Sequence, residues 1–396
     1  MFRYSDKQLH IYKQHIINPH WQFLINHGSI RSGKTTLDND IFLQELRQAK
    51  LQADKDGNTP LYILAAETQS SLWRNVLTDL ESRYRMPIKL DEKNTFPLLG
   101  CRVCCFGHSK ADSYKSLVGM TAYGGYLNEM TLAHPSFTDE VVKRCSGRLK
   151  VVGDTNPDHP EHYIKTDYVD KADGQRILEY SWKLEDNPFL TDEYVAGVKA
   201  ITPSGMFYDR KILGLWTTAD GLVYKDFDKT KVYIESLPTD IVKYWAAVDW
   251  GYEHKGVIQL WGRTSTGDIV MINEIARQHE EIDYWVAQAH EINRNLNRNI
   301  PFFCDDARPE HIARFKNEGI RAYQAKKSII SGIEEVAKLI KAGKLKVYRP
   351  NADNFNQEIY KYVWDKKSGH PIKKDDDSMD TMRYAIYTEK LMPHVR

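Results

Sequence analysis

The stretch WQFLINHGSIRSGKTTLDNDIF, residues 21–42, decides how the first half of the chain folds. Within it GSIRSGKT, residues 28–35, fits G-x-x-x-x-G-K-[ST] in full. WQFLINHG reads as a strand and LDNDIFLQELRQAK, residues 37–50, as a helix, so the motif lies between a strand and a helix N-terminus. The spacing has a chemical reason. Gly28 and Gly33 let backbone N–H groups wrap phosphates, Lys34 brings a cation to the β and γ phosphates, and the Thr35 hydroxyl can ligate Mg²⁺. Arg31, inside the loop, reads either as a γ-phosphate contact or as a solvent-facing side chain.

An ATPase of this kind needs a carboxylate at the end of a second strand. YGGYLNEM, residues 123–130, offers Asn128 and Glu129. Asn128 is neutral and a poorer magnesium partner, whereas Glu129 can activate water. The plain alternative for Glu129 is a strand-end charge. Further strands are expected at LYILAAE, CRVCCFG and KVVGDTNP, and TQSSLWRNVLTDLESRY, residues 68–84, reads as a helix. Strands alternating with helices imply α/β architecture with ligands at the strand ends.

The second half restarts with YWAAVDWG, a hairpin from GVIQLWGR through TSTG to DIVMINEI, and a helix at EIDYWVAQAHEINRNL. Strands PFFCDD, IRAYQA and LKVYRP then alternate with helices, including FNQEIYKYVWD, residues 355–365. That order is similar to the RNase H fold. Asp249 ends the first of these strands, Asp305 and Asp306 end PFFCDD, and Asp375, Asp376, Asp377 and Asp380 lead into the last helix. Separated carboxylates converging at one sheet end suit a Mg²⁺ or Mn²⁺ site for phosphodiester hydrolysis. Asp377 and Asp380, three residues apart, share a helix face. The opposing reading makes the acids at 375–377 helix caps favoured by the dipole.

The chain has 396 residues, which favours two domains, and 55 basic against 54 acidic side chains. A basic surface must therefore be local. Lys326, Lys327, Lys344, Lys346, Arg349, Lys366, Lys367, Lys373 and Lys374 are candidates to face DNA phosphates, against the simpler reading of surface lysines. The five cysteines suit a cytosolic protein better than a disulfide framework. Cys101, Cys104 and Cys105 near His108 are read as an ordinary strand, since no second pair at zinc spacing follows. No run of about 18 apolar residues predicts a membrane span.

Taken in order, these motifs resemble the large terminase subunit of tailed bacteriophages. The resemblance implies a parallel-sheet ASCE-type P-loop NTPase domain at 1–220, a linker at 221–238 and an RNase H-like nuclease domain at 239–396. It implies ATP binding by residues 28–36, namely Gly28, Ser29, Ile30, Arg31, Ser32, Gly33, Lys34, Thr35 and Thr36, with Glu129 catalytic. GDTNPDHPEHYI, residues 153–164, resembles the coupling motif, with Thr155 and Asn156 linking hydrolysis to movement. Arg144 and Arg148 are candidates for the arginine supplied to a neighbouring subunit. Asp249, Asp305, Asp377 and Asp380 match the nuclease positions, although many relatives carry His where Asp377 stands. The implied cofactors are ATP and Mg²⁺ or Mn²⁺. The implied partners are double-stranded DNA, the portal and procapsid, a small terminase subunit and further copies in a ring, in the host cytoplasm and away from membranes. Rival readings are a cellular helicase–nuclease or DNA-repair ATPase, and a nucleotide-gated DNA-binding protein without cleavage.

Overall fold

The structure is a computed structural model that describes residues 3–366 and 368–395, so Lys367 lies outside it. The chain forms two compact units, residues 1–199 with 208–217, and residues 200–207 with 218–396.

The first unit is built on a seven-stranded sheet in the order β3-β4-β2-β5-β6-β1-β7. Its strands are β1 (Phe23–Gly28), β2 (Leu61–Ala66), β3 (Thr95–Leu98), β4 (Cys101–Gly107), β5 (Ala122–Asn128), β6 (Val151–Thr155) and β7 (Ile177–Trp182). Only β3 runs antiparallel to its neighbour. Neighbouring residues of one strand enter opposite cores: Leu24 and Leu64 pack with Leu37 and Phe42, while Ile25 and Ile63 pack with Leu127 and Phe137. Burial on both faces explains why these strands read as continuous apolar runs. β4 matches its expected span, and its three cysteines are buried free thiols. β3 and β7 were not anticipated. The expected helix over 68–84 is interrupted by a π-helical turn at Trp73–Leu77. That irregular turn lets the Asn75 amide reach Asn128 Oδ1 at 2.9 Å.

The second unit holds a seven-stranded sheet in the order β13-β12-β9-β10-β11-β14-β8. Its strands are β8 (Tyr233–Ile234), β9 (Ile241–Asp249), β10 (Gly256–Thr264), β11 (Ile269–Arg277), β12 (Pro301–Cys304), β13 (Arg321–Gln324) and β14 (Leu345–Tyr348). β9, β10 and β11 form an antiparallel meander, and β12 joins β9 in parallel. The last helix, Asp377–Leu391, lies on this sheet, with Trp245 Nε1 donating to Ala385 O at 3.1 Å.

Two expectations change here. Residues 221–238 are not a linker: Val223, Tyr224 and Val232 are buried with Trp245, and Tyr233–Ile234 pairs with β14. The apolar side chains there bury surface that a solvated spacer would expose. FNQEIYKYVWD is helical only through Glu358, in the helix Asp353–Glu358. Beyond it the backbone turns to pair with residues 221–223: Val223 N donates to Tyr362 O at 2.9 Å and Trp364 N to Gly221 O at 3.0 Å. Among the described residues no helix is long and apolar enough to cross a membrane.

Candidate functional sites at two sheet ends

β1 delivers the chain to the loop 28–33, and the helix Lys34–Lys55 leaves it, its N-terminal dipole directed at the loop. Gly28 has φ 140°, and a Cβ there would stand 2.0 Å from the Trp182 carbonyl oxygen. Gly28→Ala is therefore expected to cost about 3 kcal/mol or more, read as a lowered midpoint in urea. Gly33 is also left-handed, at φ 95°, as is Arg31 at φ 56°. The N–H groups of Ser29 and Ile30 are already held, by Trp182 O at 2.8 Å and Lys211 O at 3.0 Å. The loop's free donors thus begin at Arg31, whose side chain is exposed, as is that of Thr36.

Lys34 is buried, and its ammonium donates to Ser29 O at 2.6 Å, Gly28 O at 3.2 Å and Asn156 Oδ1 at 3.4 Å. Burial lowers its pKa, against the pull of Asp154, Glu129 and Asp38. Asn156 completes a bridge, since its amide also reaches Glu129 Oε2 at 3.3 Å. Thr155 lies beside it and shares a 2.6 Å hydroxyl contact with Thr131. Glu129 follows β5 with φ 59° and is pushed up to about 7, first by burial and then by Asp154.

Sequence reading missed Asp154. It is buried on β6, and the parallel register sets it opposite both Asn26 and Asn128. One carboxylate oxygen accepts the Asn128 amide at 2.8 Å and the Glu129 N–H at 2.9 Å, and the other accepts the Thr35 hydroxyl. A lone Asp inside GDTNP carried no signal of its own, because only strand pairing brings it to Thr35. The arginines are tied down within the unit: Arg144 pairs with Glu140 at 2.5 Å and Arg148 with Glu45 at 2.6 Å.

In the second unit, register again makes the site. Cys304 pairs beside Val248, so Asp249 and Asp305 leave one sheet end together, and Asp305 N donates to Val248 O at 2.9 Å. The first turn of the last helix arrives at the same end, where Gln259 Nε2 donates to Ser378 O at 3.0 Å. Asp249, Asp305, Asp377 and Asp380 line one cavity of about 1180 Å³. Asp380 is held between Lys373 at 2.7 Å and the buried Arg383 at 2.8 Å. Asp305 pairs with Lys327 at 2.7 Å, and Asp377 with His254 at 2.9 Å. Among the described residues no hydrogen bond or ion pair engages the Asp249 carboxylate. Burial, then Asp380, Asp305 and Asp377, hold its pKa well above the usual range.

Whether these acids fit a divalent metal turns on that pattern. Their oxygen donors suit Mg²⁺ or Mn²⁺, and among the described residues no partner occupies the Asp249 carboxyl. Among the described residues, however, no three His, Cys, Asp or Glu groups converge as a ready set. The ammonium groups of Lys327 and Lys373 hold the carboxylates instead. The residues fit the group once those lysines give way.

The charges that flank the site have partners within the second unit. Lys327 and Lys373 pair with site carboxylates and also line the cavity. Lys346, Arg349 and Lys366 bond Lys231 O, Glu235 and Asp220. Asp376 occupies the cap position without accepting a cap hydrogen bond, and the Ser378 N–H is taken by Glu358 Oε2 at 2.8 Å. Asp375, at φ 50°, lies before the helix.

A family model described as terminase RNaseH-like domain matches residues 304–389, which include Asp305, Asp377 and Asp380. No curated protein matches the chain. Among solved structures, the large terminase from the thermophilic bacteriophage D6E in complex with ADP is 25% identical, with TM-score 0.84 over 97% of this chain and 99% of that one. Another crystal form of that protein gives TM-score 0.85 at 24% identity, over 99% of this chain and 100% of that one. In fold, in domain order and in its C-terminal family match, the chain is similar to phage large terminases.

Proposed function

We propose that the first unit hydrolyses ATP to drive double-stranded DNA into a procapsid, and that the second cuts concatemeric DNA. The bridge from Lys34 through Asn156 to Glu129 carries this reading, because it joins a phosphate-binding cation, a state reporter and a water-activating acid. The similar D6E protein in complex with ADP supports the nucleotide assignment.

Lys34 releases its carbonyl partners and takes the β and γ phosphates, beside the free N–H groups from Arg31 onward. Arg31, at the lip of the loop, reaches the γ-phosphate. Ionised Glu129 orients the attacking water and accepts its proton. Losing the Lys34 contact frees Asn156 to move with nucleotide state, and Thr155 anchors the adjoining backbone. Arg144 is the better candidate to act on a neighbouring copy, being 29% exposed against 17% for Arg148.

In the second unit Asp249, Asp305, Asp377 and Asp380 would hold metal. Divalent metal, when bound, neutralises phosphate oxygens at both sites and activates water for phosphodiester cleavage. Lys327 and Lys373 pair with two of these carboxylates, Asp305 and Asp380. The portal, a small terminase subunit and a ring of copies in the host cytoplasm complete the proposed setting.

Purified full-length chain should turn over ATP and linearise plasmid DNA only with Mg²⁺ or Mn²⁺. Absence of both activities, or separation of a forked duplex into single strands, would contradict the reading. With Glu129 pushed up to about 7, its active ionised form is lost as pH falls through that value. ATPase kcat/KM should therefore rise about tenfold from pH 6 to pH 8, and a flat profile would remove Glu129 from the role of base.

A further inference from the structure

We propose that Asp154 supplies, from β6, the acidic partner for the ATP-site magnesium that Asn128 at the end of β5 cannot supply. This rests on the nucleotide reading of the first unit and goes beyond it, by assigning a residue to the cation. A neutral amide stands where the second ATPase strand would bring an acid. The missing charge lies one strand over. Asp154 is 1% exposed, and it bonds the Thr35 hydroxyl, the side chain that would face the metal. Its second oxygen accepts the Asn128 amide at 2.8 Å and the Glu129 N–H at 2.9 Å, which fixes the carboxylate's orientation and the left-handed turn at Glu129. Asn128 is in turn held by Asn75 at 2.9 Å.

The local charge balance points the same way. Asp154, Glu129 and Asp38 all act on the single ammonium of Lys34. Asp38 is fully buried, and its Oδ2 has no hydrogen-bond partner among the described residues. Buried carboxylates in excess over cations are balanced either by protons or by further positive charge. A divalent ion beside Thr35 provides it. Asn128 then acts as a positioning residue, donating the amide hydrogen bond that holds Asp154 toward Thr35.

Asp154→Asn is the isosteric test, since an amide oxygen still accepts from Asn128 and Glu129 while the charge is gone. Two quantities are read on the full chain carrying Asp249→Asn, which removes the second unit's Mn²⁺ response: affinity for a fluorescent ADP analogue in Mg²⁺ and in EDTA, and Mn²⁺ affinity in the ADP complex by electron paramagnetic resonance. The expected result is at least about a tenfold loss of Mn²⁺ affinity, with ADP affinity in EDTA within about twofold of wild type. The swap Asn128→Asp with Asp154→Asn, which returns an acid to β5, should recover most of the Mn²⁺ affinity. Unchanged Mn²⁺ affinity in Asp154→Asn overturns the proposal. So does a variant that fails to fold or loses ADP equally with and without metal, because the carboxylate is then structural. The nucleotide reading fails separately, if Lys34→Ala binds ADP like wild type.

Discussion

Lys34→Ala should abolish ATP turnover while leaving the chain folded. Among the described residues the ammonium is the one cation that both reaches the loop carbonyls and touches the Asn156–Glu129 bridge. Its removal takes away the charge proposed to meet the β and γ phosphates, and it leaves Glu129 and Asp154 less balanced. Losing a pre-positioned donor of this kind costs about 10²–10³-fold in rate, and more where ground-state binding fails as well. Folding is spared for a specific reason. Ser29 O also accepts the Ser32 hydroxyl at 2.9 Å, so the carbonyl that held the ammonium most closely is not orphaned. The expected change in stability is about 1–3 kcal/mol at most. Steady-state ATPase and a urea melt check the two halves. DNA cutting in metal should survive, because its acids lie in the other unit. ATP turnover within about threefold of wild type would show that the loop is not the catalytic phosphate site.

Asp249→Asn should have the opposite pattern: loss of cutting with a gain in stability. The Asp249 carboxylate is 9% exposed and faces Asp380, Asp305 and Asp377. Desolvation and like-charge repulsion both disfavour its ionised form, and the neutral amide escapes both. A gain of about 1–2 kcal/mol near neutral pH is expected. The sign of its pH dependence follows from the raised pKa. The unfolded chain releases this proton near an ordinary carboxylate value, whereas the folded chain keeps it to higher pH. Wild-type stability therefore falls as pH rises between those values, and the advantage of Asp249→Asn grows over the same window. Cleavage should drop by about 10²-fold or more, since metal loses one of its proposed oxygens. Mn²⁺ should raise the melting midpoint of wild type and leave that of the variant unchanged. A variant that still cuts in Mn²⁺ would remove Asp249 from the metal site.

The two sites were legible in the sequence to different depths. GSIRSGKT announces its own conformation, because the glycines, the lysine and the threonine act within one turn of chain. YWAAVDWG and PFFCDD announce strands ending in carboxylates, because apolar runs and their acidic ends are local too. The hairpin through TSTG was equally readable, with Gly267 at φ 91° and Thr264 bonding Asp268. FNQEIYKYVWD was not: its first residues are helical, and its last ones are claimed by residues 221–223, more than 100 positions away. The same backbone pairing turns the expected linker into part of the second core.

What the sequence determined by itself is the chemistry available: a phosphate loop, an acid after β5, and acids at three points of the second half. What only the tertiary structure decided is which groups meet. Parallel pairing of β5, β6 and β1 sets Asp154 beside Asn128 and Thr35, and pairing of β9 with β12 sets Asp305 beside Asp249. Packing of the last helix brings Lys373, Asp380 and Arg383 together at that end. Strand register and helix docking depend on buried surface contributed by the whole unit, so no short stretch of sequence contains them.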